Sequence, residues 1–128
     1  MPEPIWIPRE MVLAMHLRQL AEHGGGQGVR DDGLLDSALQ RPQNKLAYES
    51  PDLAELAAAY AFGIARNHPF IDGNKRTALV MSFTFLYVNG LKVITSQEEN
   101  TKKFMALAAG TIEEKELADW FKQNTSAR

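Results

Sequence analysis

Between His68 and Ala78 the chain reads HPFIDGNKRTA. A histidine, a carboxylate, a glycine, an amide and two adjacent cations fall within nine positions, between two apolar stretches. Each type suits a part of one reaction. A histidine accepts a proton near neutral pH. A carboxylate beside a phosphate site suits a hard cation such as magnesium. A glycine lets an anion come close to the backbone. If a helix begins near Gly73 or Asn74, its first N–H groups have no partner inside it and its dipole favours negative charge. Gly73, Asn74, Lys75 and Arg76 then form a phosphate cradle. With His68 as base and Asp72 as metal carboxylate, the stretch has the parts that phosphoryl or nucleotidyl transfer needs. Phe70, between them, reads as an apolar anchor for the loop.

The flanking periodicity is helical almost throughout. Pro8 suits a first helical turn, and Leu13, His16, Leu17 and Leu20 fall on one face. Gly24 to Gly26 end that helix. Asp31 or Asp32 caps a second, short helix that Pro42 closes, leaving RPQNKLAYES as a loop. Ser50 and Pro51 open a third helix, with Leu53, Leu56, Ala57, Tyr60 and Ile64 at three-four spacing. A fourth runs to Asn89-Gly90 and is apolar on nearly every side, which predicts a central helix enclosed by others. Lys92 to Thr95 suits a short extended piece. Ser96 with Glu99, and Thr111 with Glu114, read as capping boxes for a fifth and a sixth helix. The tail QNTSAR is expected to be loose. The fold class is therefore all-α: a compact bundle of about six helices, with the chemical loop at the N-terminus of the central one.

Composition narrows the function. A length of 128 residues predicts one domain over residues 1–128. The net charge of −2 argues against a broad nucleic-acid surface. Without cysteine there are no disulfides, thiolate metal sites or cysteine nucleophiles. MPEPIWIPRE lacks the pattern of a secretory signal, and charges interrupt every candidate membrane span, so the expected location is the cytoplasm.

Other polar residues have plainer readings. His16, on an apolar helix face, reads as a hydrogen-bonded core histidine, and His23 as a helix-end residue favoured by the dipole. Arg30 to Asp32 read as a solvated loop and helix cap. Asp72 and Asn74, taken alone, would be caps. Lys75 and Arg76 oppose the dipole of the helix they open, an arrangement that makes sense if an anion comes there. Arg66 and Asn67, just before His68, are placed to orient the site. Trp120 and Phe121 read as core.

HPFIDGNKRTA resembles the signature of the Fic (filamentation induced by cAMP) superfamily, His-Pro-Phe-x-Asp/Glu-Gly-Asn-x-Arg. MVLAMHLRQLAEHGG, RDDGLLDSALQRPQ and FLYVNG are similar to the short Doc (death on curing) branch, the toxins of type II toxin–antitoxin pairs. The resemblance implies His68 as general base on a target hydroxyl, Asp72 as magnesium ligand, and Gly73, Asn74 and Arg76 as holders of nucleotide phosphates. Lys75 stands where most adenylylating members have glycine and the Doc branch has lysine. Leu79 stands where those members carry a second arginine. Both departures point to a protein kinase that uses ATP and Mg2+ and transfers the γ-phosphoryl group, with elongation factor Tu as the known target class. Adenylylation of a protein hydroxyl and a non-catalytic partner-binding module are the alternatives. The resemblance also implies a cognate antitoxin whose disordered tail folds on the toxin, docking near the first helices and the stretch from Arg41 to Ser50. Asn44 and Lys45 lie where the superfamily places a target-aligning flap. No direct nucleic-acid or membrane partner is expected.

Overall fold

A computed structural model describes residues 3–128; the first two residues of the amino-terminal segment read above lie outside it. Six helices follow in order: α1 Arg9–His23, α2 Asp32–Tyr48, α3 Leu53–Asn67, α4 Asn74–Val88, α5 Gln97–Ala109 and α6 Glu114–Asn124. Two short strands, β1 Leu91–Val93 and β2 Thr125–Ala127, pair antiparallel. The fold is all-α, as the periodicity predicts. Among the described residues no helix is long and apolar enough to cross a membrane.

Most helix starts follow local rules. Asp31 accepts a hydrogen bond from the Leu34 N–H at 2.9 Å and caps α2. Ser96 and Glu99 form the expected capping box on α5. Asp52 and Glu55 form another on α3, so that helix opens just after the Ser50-Pro51 pair. The sixth helix departs from expectation: Glu113 precedes it, and the Glu116 carboxylate reaches back to accept from the Glu113 N–H at 3.2 Å. Thr111 belongs to the end of α5 instead, where its hydroxyl and its N–H both donate to the Ala106 carbonyl. Gly110, at φ 82°, makes that turn possible.

Pro42 does not close α2. The helix runs through it for 17 residues, and the expected loop from Arg41 onward is helical as far as Tyr48. A proline in a free helix costs about 3 kcal/mol, so packing must offset it. Pro42 lies on the buried face of α2 with Leu35 and Ala38. On either side of it, Glu114 of α6 holds Arg41 at 2.6 Å and Lys45 at 3.3 Å. Burial disfavours the Lys45 charge, but Glu114 and Glu49 outweigh it and raise the pKa. The pair of helices α2 and α3 closes tightly at Gly63, where a Cβ would stand 3.0 Å from the Ala38 backbone.

The core sits between α3 and α4. The more enclosed of the two is α3, whose alanines let its neighbours approach from all sides. Phe83, Phe104, Trp120 and Phe121 form an aromatic cluster against α4, with ring centroids 5.4–6.5 Å apart. This places Trp120 and Phe121 in the core. The tail is ordered, not loose. Residues 125–127 pair with β1, and Arg128 donates to the carbonyls of Gly90 and Tyr87. The strand covers one edge of β1, and Arg128 adds a second donor to the Tyr87 carbonyl at the end of α4.

Candidate active site

The turn between α3 and α4 needs two left-handed residues. His68 ends α3 at φ 51°, ψ 56°, the one non-glycine residue with positive φ among those described. Such a conformation costs an L-residue about 1–2 kcal/mol, and it lifts the exposed His68 ring off the helix into solvent. Gly73 precedes α4 at φ 79°, ψ 16°. No side chain caps α4, so its first N–H groups have no side-chain partner.

The loop between α1 and α2 holds this turn. Arg30 donates through Nε to the His68 carbonyl at 2.8 Å and through Nη2 to the Asn67 carbonyl at 2.9 Å. The N–H groups of Arg30 and Asp31 donate to the Pro69 carbonyl, and that of Ile71 to the Gly28 carbonyl. A bridge joins Val29 to Phe70. Arg30, read from the sequence as solvated, is therefore a brace; its partners lie more than 35 residues away, and no local pattern marks them. Phe70 is buried at 1% exposure, as an anchor should be.

Asp72 projects into solvent. Its carboxylate accepts from the Gly73 N–H at 2.9 Å and the Gly26 N–H at 3.3 Å. The loop comes so close at Gly25 that a Cβ there would stand 2.8 Å from Asp72 Oδ2. Among the described residues no cluster of three or more acidic, histidine or cysteine side chains could enclose a metal. A single carboxylate fits magnesium that takes its other ligands from phosphates and water. It does not fit an all-protein cation site.

Asn74 is committed elsewhere. Its Oδ1 accepts from the Phe70 N–H and its Nδ2 donates to the Phe70 carbonyl, each at 3.0 Å, and the residue is buried. Its side chain neither caps α4 nor faces solvent, which leaves its backbone N–H for an anion. Asn74→Ala should strand two polar groups of Phe70 away from water and destabilise the fold by about 2–4 kcal/mol. Urea unfolding followed by circular dichroism would measure it; a change below 1 kcal/mol would show that the clasp contributes little.

Lys75 and Arg76 are exposed, and neither pairs with a carboxylate among the described residues. They line a cavity of about 620 Å³ together with His68, Asp72, Gly73 and Asn74. Ile71, Leu79, Phe104 and Met105 give the cavity apolar lining as well, alongside Gln97 and Thr101. That volume is in the range of small-ligand sites. His23, at the end of α1, also reaches this cavity. The fold turns Arg66 and Asn67 away from it. Arg66 lies over the Phe62 ring, and Asn67 donates to the Leu34 carbonyl. Asn67, Asn44 and Lys45 line a second groove, bounded by Arg41 and Glu114.

Comparison with known proteins agrees with the motif. Residues 6–86 match the Fic/DOC family. The chain is 40% identical over 93 residues to "Protein kinase doc" of Escherichia phage P1, covering 72% of this chain and 74% of that protein. It is 49% identical over 74 residues to "Toxin Doc" of Mycolicibacterium smegmatis, and spans 55% of that relative's length.

Proposed function

The chain belongs to the Fic/DOC family, in its Doc branch, and from that premise we propose that it is the toxin of a toxin–antitoxin pair and a protein kinase. It transfers the terminal phosphoryl group of ATP to a hydroxyl side chain of a translation factor, with elongation factor Tu as the expected target. The observation that carries this reading is the meeting, on one cavity, of the His68 ring, the Asp72 carboxylate and the uncapped start of α4 with Lys75 and Arg76.

The chemistry follows from those positions. His68 takes the proton of the target hydroxyl as its oxygen attacks the γ-phosphorus. ADP leaves, and His68 then returns its proton to solvent. The N–H groups opening α4, with the two cations, stabilise the charge on the transferring group. Asp72 would hold magnesium, which neutralises phosphate charge when bound. The apolar lining residues suit the nucleoside or the target segment. Met11 and Leu17 of α1, both exposed, belong to the surface proposed for an antitoxin tail.

Lys75 and Leu79 decide between phosphates. A lysine beside Gly73 fills the path that a longer nucleotide chain would take towards adenylyl transfer. Leu79, one turn further along α4 and also lining the cavity, offers no donor for a distant phosphate. Elongation factor Tu, incubated with the protein, magnesium and ATP labelled at either position, should take label only from the γ-phosphate. Label from the α-phosphate would mean adenylylation instead. Absence of magnesium-dependent ATP binding would mean a module that only binds partners.

A further inference from the structure

His16 lies in the middle of α1, far along the chain from the turn, yet its ring touches the turn at three places. Its plane lies on the Phe70 ring, with centroids 3.8 Å apart and planes 9° from parallel. Its Nε2 stands 2.7 Å from the Asp72 carbonyl. A carbonyl offers only lone pairs, so Nε2 carries the proton and donates. The ring also backs Gly73, where a Cβ would come within 3.6 Å of it. The residue is 2% exposed, so this ring is out of reach of any ligand in the cavity.

We infer that His16 is a positioning residue for the catalytic turn, acting through its donated bond to the Asp72 carbonyl. That bond holds the peptide between Asp72 and Gly73 in one orientation. The same peptide carries the Gly73 N–H that the Asp72 carboxylate accepts. Fixing it therefore fixes where the carboxylate points. Among the described residues the carboxylate's one other hydrogen bond comes from the Gly26 N–H at 3.3 Å, a long bond in an exposed loop. Stacking alone does not supply this control. A flat apolar ring could sit on Phe70, but it has nothing to give the carbonyl. The effect on function rests on the reading of Asp72 as the magnesium carboxylate; the effect on the turn does not.

The experiment uses the intact chain with His16→Phe, which keeps a ring against Phe70 but has no donor, and His16→Gln, whose amide reaches to a similar depth. Amide hydrogen exchange at Gly73 and Gly26 is followed in the ligand-free protein, and ATP binding is titrated with magnesium. In His16→Phe both amides should exchange about threefold to tenfold faster while the remaining helices keep their protection. The magnesium needed for half-maximal ATP binding should rise about tenfold or more. His16→Gln should restore both. Unchanged exchange at Gly73 and Gly26 in a folded His16→Phe protein overturns the inference. If His16→Phe does not fold, His16→Gln against His16→Asn decides, because the shorter amide cannot reach the carbonyl; equal protection in the two also overturns it. Should the parent chain bind no ATP with magnesium while exchange responds as expected, the enzymatic reading fails and the positioning of the turn stands.

Discussion

Expressed alone in bacteria, the parent chain is expected to arrest growth, and His68→Ala to relieve the arrest. In a transfer assay His68→Ala should be about 10²–10⁴-fold slower, the usual contribution of a positioned base. The fold gives reason to expect loss of activity without loss of structure. The His68 ring is exposed, and the hydrogen bonds at this residue run through its backbone, to Arg30 and Ile64. What the position demands is a left-handed backbone. That demand supplies a control: His68→Gly relieves about 1–2 kcal/mol of backbone strain and gives back about 0.5–1 kcal/mol in chain entropy. It should therefore be at least as stable as the parent and equally inactive. A histidine kept where glycine would be more comfortable is the pattern expected of a functional side chain. Growth curves at matched expression, with urea melts of the three proteins, test this. Undiminished toxicity of His68→Ala would remove His68 from the role of base.

Arg76→Ala should weaken magnesium–ATP binding about 10–100-fold, the loss expected when charge-assisted hydrogen bonds to phosphate are removed. Ligand-free stability should move the other way. Arg76 sits at the positive end of α4 beside Lys75, without a carboxylate partner among the described residues. Removing its charge relieves an unfavourable interaction with the helix dipole of about 0.3–1 kcal/mol. A variant that binds ATP less well yet melts no earlier would mark the cation as placed for a ligand. Calorimetric titration and thermal melts read the two effects separately. Binding equal to that of the parent would show that the phosphates lie elsewhere. A variant that unfolds would make Arg76 a structural residue.

The sequence by itself determined the features whose physics acts within one helical turn. The caps at Asp31 and at Ser96 with Glu99, the stops at Gly24 and Gly90, and the apolar spacing of α1, α3 and α4 all depend on neighbours three or four residues away. The motif is legible for the same reason. His68, Asp72, Gly73, Lys75 and Arg76 are consecutive enough that a single turn brings them together. The tertiary structure decided whatever needs a distant partner. Pro42 stays inside α2 because Glu114 and the face of α3 hold the helix on both sides of it. The tail becomes a strand because β1 offers an edge. Ala-rich α3 becomes the most enclosed helix because small side chains admit close neighbours, a property of packing that hydrophobic spacing does not report. Asn74 turns inward to Phe70, Arg30 reaches across to two carbonyls, and His16 grips Asp72 from 56 positions away. A backbone carbonyl looks the same at every position in a sequence. Which side chain satisfies it is settled only when folding has excluded water from the alternatives.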